Sequence, residues 1–577
     1  MVRYTAGAVL GEARRIMSEL SGGEFSGEIR FTPGDPKGDV AVPCFPLAKA
    51  MRRSPAQIAG EFAGRASFEC DLFSRAEGVG GYLNFFLDPA AFNAGVVSDF
   101  ARMGPDYGAS DMGGGRNVVV DYSSPNIAKP FSVGHLRSTN IGSSICSILR
   151  FAGYNVIGDN HLGDWGTQFG KLIYAYKRWG DRAVVESDPI RELLKLYVRF
   201  HDEAGVAGDE HPEEGNPLEE EARRYFKMLE DGDPEILSLW RWIKDVSLND
   251  FRKVYDVLGV SFEEMLGESF YNDKMDEIKA MAEKLGIVET DPDGTKLIRL
   301  DRFGISTPLL LQKKDGASLY ATRDLACILY RQRTWDPCKI VYVVGEEQQL
   351  YFSQLFKAAE LMGFRPGLEY VPFGLMTLPS EGKFSTRKGR VIFLEDVLRE
   401  SVERASAMVE GRELDDESKR RIAREVGIGA VKYNDLSQNR RKTVSFDWDR
   451  MLSMDGNSSP YLQYSYSRAR AILRKAGVPS AASWDSSVPS EPEEAALLAM
   501  LSRFPMVVES AADQFCPHVI ANWLFELAQG FTSFYTRVKV LSSEEPFRTN
   551  RLILADFYSS VVRRGLSLLG VGVLEEM

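Results

Sequence analysis

The stretch NVVVDYSSPNIAKPFSVGHLRSTNIGSSICSILRFAGYNVIGD, residues 117–159, decides the fold of this chain. It opens with a short β-branched run at 117–122 that ends in polar residues, which is typical of a buried parallel strand. A polar loop at 124–134 follows, then helical apolar spacing over 135–151 and a second strand-like run at 154–158. This order predicts a βαβ unit, whose ligands lie beyond the carboxyl ends of its strands.

The whole chain of 577 residues is long enough for about three domains. Residues 1–111 mix helix-like and strand-like patterns, which predicts an amino-terminal α+β domain. Residues 112–445 predict an α/β domain of Rossmann type, with a parallel sheet and a helical insertion at about 181–290. Residues 446–577 are helix-like almost throughout and predict a carboxyl-terminal α-helical bundle.

The net charge of −12 argues at first against a nucleic-acid partner. The segment 181–289 alone holds 14 basic and 28 acidic residues, which leaves 56 basic and 54 acidic residues elsewhere. A cationic run also lies at 419–442, which contains eight Lys and Arg and only two acidic residues, Glu425 and Asp435. We therefore expect a nucleic acid to avoid the insertion and to lie along 419–442.

The six cysteines are scattered without a CxxC pair, which favours neither a structural metal nor a disulfide framework. This pattern is typical of a reducing compartment. The first fifteen residues hold four charged side chains, and no apolar run approaches the roughly 18 residues of a membrane span. We expect a cytoplasmic protein without a membrane partner.

Three blocks of sequence carry the chemistry, and the first is the loop and helix start at 121–139. A helix that begins after a parallel strand presents free N–H groups suited to a phosphate. Gly134 lets a ligand approach the backbone, while His135 and Lys129 can reach the same anion. Taken alone, this pattern favours a helix-capping histidine over a ligand-binding one.

The second block, HLGDWGTQFG at 161–170, follows the next predicted strand. The third, KFSTRKGR at 383–390, has four cations and is flanked by glycine, as suits a loop that closes over a polyphosphate. Alone, the third block favours a solvated basic turn over a phosphate-binding loop.

Together the blocks resemble arginyl-tRNA synthetases, a family of class I aminoacyl-tRNA synthetases. SPNIAKPFSVGHLRST (124–139) is similar to the His-Ile-Gly-His motif of that class, and KFSTRKG (383–389) to its Lys-Met-Ser-Lys-Ser loop. Resemblance continues through LYATRDLA (319–326), YVVGEEQQLYFSQLF (342–356) and FDWDRMLSMDGNSSPYLQYSYSR (446–468). It covers nearly the whole chain.

The resemblance implies an activity and its partners. Members of the family activate L-arginine with ATP, form arginyl adenylate and pyrophosphate, and transfer arginine to the 3′ end of tRNA(Arg). Mg²⁺ is expected with ATP, and a monomer is expected in solution. Two other classes stay open: a catalytically impaired tRNA-binding paralogue, and an adenylyltransferase that works without tRNA.

The resemblance also assigns residues. The catalytic set is Lys129, His135, Lys383 and Lys388. The ATP site is Ser132, Gly134, His135, Lys383, Ser385 and Lys388. The arginine site is Asp121, Ser124, Pro125, Asn126, His135, Glu268, Tyr320, Asp324 and Gln348. The tRNA contacts are Arg440, Arg441, Lys442, Trp448, Asn457 and Tyr461.

For several of these residues an ordinary structural role stays open. Asp324 can be a helix cap, Tyr320 a core residue, and Glu268 a solvated acid, while Tyr461 fits a helix core as well as a base-stacking site.

Two positions depart from the family pattern. Ser132 stands where most members have the first motif histidine, and a hydroxyl cannot carry positive charge. Thr386 replaces the loop lysine, with Lys388 two residues later. By resemblance, Lys129 compensates, so we expect activity that depends unusually strongly on Lys129.

Overall fold

The computed structural model describes residues 4–205, 216–314, 319–377 and 393–577. The chain forms two compact units. Unit 1 comprises Met1–Gly113, Phe151–Gly153 and Leu452–Met577, and unit 2 comprises Gly114–Arg150 and Tyr154–Met451. The domain boundaries expected at residues 111 and 445 remain predictions.

The first part of unit 1 is an antiparallel sheet with helices, as predicted for an α+β domain. Its elements are α1 (Thr5–Leu20), β1 (Arg30–Phe31), β2 (Val40–Pro43), α2 (Ala48–Met51), α3 (Pro55–Arg65), β3 (Phe73–Val79), β4 (Tyr82–Leu87) and α4 (Pro89–Met103). The strand order is β1-β2-β4-β3. Gly78 lies so close to α3 that a Cβ there would meet the Ala59 carbonyl oxygen at 2.5 Å.

Unit 2 contains the predicted βαβ unit. It consists of β5 (Asn117–Asp121), α5 (Val133–Phe151) and β6 (Asn155–Asp159). α5 buries the predicted apolar positions Leu136, Ile141, Ile145, Ile148 and Leu149. On the same helix, a Cβ at Gly142 would lie 2.3 Å from Tyr122, so glycine is required for α5 to pack beside β5.

The helical insertion follows β6. Its helices are α6 (Thr167–Trp179), α7 (Arg182–Ser187), α8 (Pro189–Glu203), α9 (Pro217–Glu230), α10 (Pro234–Leu258) and α11 (Met275–Lys284). α9 and α10 each begin with proline after a capping residue, Asn216 and Asp233, whose side chains accept backbone N–H groups.

The remaining elements of unit 2 complete its sheets and helices. They are β7 (Glu289–Thr290), β8 (Lys296–Ile298), β9 (Leu309–Gln312), α12 (Tyr320–Trp335), β10 (Lys339–Gly345), α13 (Gln349–Leu361), β11 (Gly367–Phe373), β12 (Met376–Thr377), α14 (Leu394–Val409), α15 (Asp416–Leu436), β13 (Val444–Ser445) and α16 (Trp448–Met451).

The parallel sheet of unit 2 has the order β11-β10-β5-β6. The chain extends the sheet from β5 to β6 on one side and places β10 on the other. Because the direction of winding reverses between β5 and β10, a crevice opens beyond the carboxyl ends of these two strands. The predicted Rossmann-type sheet is confirmed, and this crevice is where the site lies.

The second part of unit 1 is the predicted helical bundle. It contains α17 (Ser459–Ala476), α18 (Pro492–Ser502), α19 (Phe504–Gln514), α20 (Pro517–Arg537) and α21 (Phe547–Leu568). Phe531 and Tyr558 stack at its centre with ring centroids 3.9 Å apart. Phe557 stacks on Phe100 of α4 at 4.3 Å, so both parts of unit 1 share a core.

One stretch of the bundle is an exception to the expectation that no apolar run approaches the length of a membrane span. Pro492–Gln514 is long and apolar enough to cross a membrane by length and composition. In the structure it forms two helices that meet at Arg503, ahead of Pro505 in the first turn of α19. Since 61% of its most apolar window is buried, core packing explains the composition.

Candidate active site

The loop after β5 has a strained backbone. Ser123, Ser124 and Ala128 have φ values of 73°, 46° and 62°, a region that non-glycine residues adopt at a cost of about 1–3 kcal/mol each. Buried hydrogen bonds hold the loop: Ser138 Oγ accepts from Ser123 N over 2.9 Å, and Ser123 Oγ lies 2.8 Å from Thr139 Oγ1. The loop is therefore fixed from α5 before any ligand binds.

The second sequence block lies directly against this loop. Gly163 N donates to Pro125 O over 3.1 Å, and Gly163 O accepts from Ile127 N over 3.0 Å. A Cβ at Gly163 would stand 2.1 Å from Asn126 Oδ1, so only glycine fits. The structure thus brings together the two blocks that surround β6.

His135 lies in the first turn of α5 with its tautomer fixed by the backbone. Ser132 N donates to His135 Nδ1 over 3.1 Å, which leaves the proton of a neutral ring on Nε2. Burial lowers the pKa of His135, and the charge of Lys129 acts in the same direction. The capping role and the ligand-binding role are therefore compatible, because they use different ring nitrogens.

Gly134 and Lys129 are exposed beside His135. A Cβ at Gly134 would touch only Ser132 Oγ, at 3.5 Å, so the fold itself does not require glycine there. An anion that approaches the backbone N–H groups of the helix start would require it.

Two further carboxyl groups lie close to each other, near the end of β5. Asp324, in α12, accepts a hydrogen bond from the Tyr351 hydroxyl of α13. Burial raises the pKa of Asp324, against the effects of His161 and the Tyr351 hydrogen bond. Asp324 lies in the second turn of α12, which begins at Tyr320, so it is not a helix cap.

Glu268 is the second carboxyl group. Burial raises its pKa to about 7, even though Arg323 and His161 act in the opposite direction. Arg323 NH1 lies 3.6 Å from Glu268 Oε2. The Glu268 side chain is 18% exposed, which is too little for a solvated acid.

Asp121 forms hydrogen bonds within the chain through both of its carboxylate oxygens. Its Oδ2 accepts from Arg331 NH2 over 2.6 Å, and its Oδ1 accepts from Ser124 Oγ over 3.1 Å. Arg331 also pairs with Asp159 at 2.7 Å. Asp121 is therefore a buried residue that stabilises the loop after β5 through its hydrogen bond with Ser124.

The remaining predicted arginine ligands differ in their exposure. Tyr320 is 63% exposed and so is not a core residue, and Gln348 lies on an exposed turn after β10. Ser124 and Asn126 are half-buried in the loop, and Pro125 is buried.

Sequence reasoning missed Arg331, Tyr351 and Arg323. Arg331 lies two turns after Asp324 on α12, so helical spacing could have placed it on the same face. Tyr351 offered no such signal, because its partner lies 27 residues away on another helix.

The third block cannot be placed. Lys383, Ser385, Thr386 and Lys388 lie outside the described residues. In the part of the chain that is described, no group of three or more His, Cys, Asp or Glu is arranged to hold a metal ion.

The cationic run at 419–442 is only partly a surface. Arg441 and Lys442 are exposed, whereas Arg440 is half-buried and donates to Pro372 O over 3.2 Å. Lys432 is 2% exposed and donates to Leu258 O over 2.6 Å, so counting it as a surface cation was wrong. Trp448 is half-buried, and Arg404 lies 5.0 Å from its ring centroid.

The candidates in unit 1 lie at the start of α17. Asn457 Nδ2 donates to Asn522 Oδ1 over 3.0 Å. Tyr461 is half-buried with its hydroxyl 3.3 Å from Thr532 Oγ1, while its neighbour Leu462 is fully buried. Tyr461 therefore has one face in the bundle and an edge in solvent.

Comparison with known proteins decides the family. The family model "tRNA synthetases class I (R), catalytic domain" matches residues 106–448, more than half of the chain. The chain belongs to the arginyl-tRNA synthetases. The "Arginyl tRNA synthetase N terminal domain" matches residues 13–87 of this enzyme, and the "DALR anticodon binding domain" matches residues 462–577.

Individual relatives agree along nearly the full length. The arginine–tRNA ligase of Clostridium perfringens is 46% identical over 95% of this chain and 96% of its own length. The arginine–tRNA ligase of Streptococcus equi is 42% identical over 99% of both chains. The structure of Thermus thermophilus arginyl-tRNA synthetase, 24% identical, shares the fold with a TM-score of 0.82 and covers 99% of each chain.

Proposed function

We propose that this enzyme charges tRNA(Arg) with L-arginine in two steps at the crevice beyond β5 and β10. In the first step the arginine carboxylate attacks the α-phosphorus of ATP, which releases pyrophosphate and leaves arginyl adenylate. In the second step the terminal ribose hydroxyl of tRNA attacks the adenylate carbonyl and releases AMP. The observation that carries the proposal is that two half-buried carboxyl groups, Asp324 and Glu268, lie near the end of β5, whose following loop leads to the start of α5.

The carboxyl groups supply amino-acid recognition. Asp324 and Glu268 can both accept N–H groups, and a guanidinium presents a planar fork of donors. Burial raises the pKa of both carboxyl groups, and a bound cation would favour their ionised forms. Lysine lacks the fork, so one of the two carboxyl groups would remain unpaired. Tyr320 and Gln348 complete the proposed pocket at its exposed edge.

The helix start supplies ATP recognition. His135 Nε2–H can donate to a phosphate oxygen, Gly134 leaves the backbone open, and Lys129 brings the positive charge that Ser132 cannot. Positioned donors and cations stabilise the charge that develops on the transferring phosphorus. We assign Lys383, Ser385 and Lys388 to the same phosphates on resemblance. Mg²⁺ would enter as part of the ATP complex, with phosphate oxygens among its ligands.

The tRNA contacts form the third part of the proposal. Arg441 and Lys442 are exposed cations that suit phosphate contacts, and Arg440 stands beside them. Trp448, Asn457 and Tyr461 suit contacts with unpaired bases. A monomer in the cytoplasm would meet all three substrates without a further partner.

Arginine-dependent exchange of pyrophosphate into ATP, with and without tRNA(Arg), tests the proposal. We expect exchange that requires arginine and is greatest when tRNA is present. Full exchange without tRNA, with no charging of tRNA, would favour the adenylyltransferase alternative. Binding of tRNA without any exchange would favour the impaired paralogue.

A further inference from the structure

Arg323 is an internal cation at the arginine pocket that the assignments above leave without a role. It lies on α12 between Tyr320 and Asp324, and its side chain is only 11% exposed. Its contacts are long: NH1 is 3.6 Å from Glu268 Oε2, and NH2 is 3.4 Å from Asn272 Oδ1. Within the described residues, its buried Nε has no hydrogen-bond partner.

A buried guanidinium normally has its five N–H donors satisfied. Arg137, elsewhere in unit 2, shows the contrast, because Nε, NH1 and NH2 all donate to oxygens of the chain. Arg323 makes no such set of short bonds. The position of Arg323 is therefore explained by the attraction between its positive charge and the Glu268 carboxylate rather than by a hydrogen-bond network.

We infer that Arg323 is a positioning residue whose charge favours the ionised form of Glu268, the form that accepts the guanidinium of the substrate. The inference rests on the proposed function, in which Glu268 binds arginine. Four charged or titratable groups face Glu268: Arg323 and His161 favour its ionised form, while Asp324 and Asp164 oppose it. Asp164 is paired with Lys244 at 2.6 Å, and among the described residues it is Arg323 that forms an ion pair with Glu268.

The consequence depends on pH. Without Arg323, Glu268 would hold its proton to higher pH, and arginine would have to displace that proton. Loss of one facing charge raises a carboxyl pKa by about one unit, a tenfold change in the ionisation constant. Near pH 7 this reduces the ionised fraction of Glu268 about fivefold, whereas near pH 9 the fraction barely changes.

The experiment measures KM for arginine in aminoacylation by the full-length enzyme with ATP and tRNA(Arg), near pH 7 and near pH 9. For Arg323→Gln we expect KM to rise about fivefold near pH 7 and less than about twofold near pH 9, with little change in kcat. Arg323→Lys keeps the charge and should stay near the wild-type KM at both pH values. Arg323→Met is a second neutral variant in case the glutamine variant does not fold.

An unchanged or lower KM near pH 7 in the neutral variants would overturn the inference. An equal rise in KM at both pH values would do the same, because it would indicate a packing role. Glu268→Gln separates this failure from failure of the proposed pocket. If Glu268→Gln leaves KM for arginine unchanged, the pocket assignment is wrong; if it raises KM while Arg323→Gln does not, only the role of Arg323 is wrong.

Discussion

The backbone N–H of Ser132 donates a hydrogen bond to His135 Nδ1 over 3.1 Å. Ser132, which replaces the first motif histidine, thus orients His135 through its main chain, and its hydroxyl oxygen also lies 3.1 Å from His135 Nδ1. What Ser132 cannot supply is positive charge, and burial lowers the pKa of His135, so neither residue is a cation at neutral pH. Charge at the phosphate site has to come from elsewhere.

Among the residues that the structure describes, Lys129 is the cation whose charge acts on His135, which leads to the first prediction. Lys129→Ala should lower the rate of adenylate formation more than about tenfold, or about 1.4 kcal/mol of transition-state stabilisation. Single-turnover formation of arginyl adenylate measures this rate. Lys279→Ala, which removes a lysine of α11 that pairs with the exposed Asp276, is the control and should be unchanged. Near-wild-type turnover by Lys129→Ala would exclude the compensating role.

Glu268 leads to a prediction about protons. Its pKa of about 7 means that about half of the molecules carry this proton at neutral pH. A bound guanidinium favours the ionised carboxylate, so arginine should release up to about half a proton near pH 7 and almost none near pH 9. Arginine affinity should accordingly fall as pH drops below 7.

Titration calorimetry in buffers of different ionisation enthalpy counts the released protons. Glu268→Gln is the matched variant, since it keeps the shape of the side chain and has no proton to release. If wild type and Glu268→Gln release the same number of protons, another group is responsible.

The two glycines of α5 give a paired prediction. Gly134→Ala should fold normally and raise KM for ATP, because the new Cβ meets only Ser132 Oγ at 3.5 Å and narrows the anion site. Gly142→Ala should instead lower the thermal midpoint, because its Cβ would lie 2.3 Å from Tyr122. An unchanged KM for ATP in Gly134→Ala would remove the support for phosphate binding there.

The buried ion pair of Arg137 and Asp435 leads to a prediction about the free energy of unfolding. Arg137 Nε lies 2.9 Å from Asp435 Oδ1, and the two side chains are 1% and 0% exposed. Arg137→Ala should lower the free energy of unfolding by about 3–5 kcal/mol, because it leaves a buried carboxyl group without its partner. Chemical denaturation of Arg333→Ala, from an exposed pair, should show a loss below about 1 kcal/mol. Similar losses in both variants would contradict this account.

Salt dependence tests the tRNA surface. Arg441→Ala and Lys442→Ala should each weaken tRNA binding and reduce the slope of log affinity against log salt by about one. Lys227→Ala, in the acidic insertion, should leave both quantities unchanged. Binding that responds to Lys227 and not to Lys442 would place the tRNA elsewhere.

Much of this architecture is predictable from the sequence because it is local. Apolar periodicity predicted α5 to within two residues of its observed ends, and the β-branched run predicted β5. The Arg137–Asp435 pair was not predictable, since its members are 298 residues apart and no local pattern links them. Lys432 was misplaced because a count of cations does not distinguish a surface from a helix interior that is buried throughout from Val426 to Leu436.

The central claim is that the two half-buried carboxyl groups, Asp324 and Glu268, select arginine for transfer to tRNA. The most direct measurement is charging of tRNA(Arg) with labelled arginine or lysine by wild type and by Asp324→Asn, alongside ATP binding. The account predicts that wild type charges arginine and not lysine, and that Asp324→Asn loses more than about a hundredfold in kcat/KM for arginine while ATP binding is unchanged. Equal charging of arginine by Asp324→Asn, or charging with lysine by wild type, would contradict it.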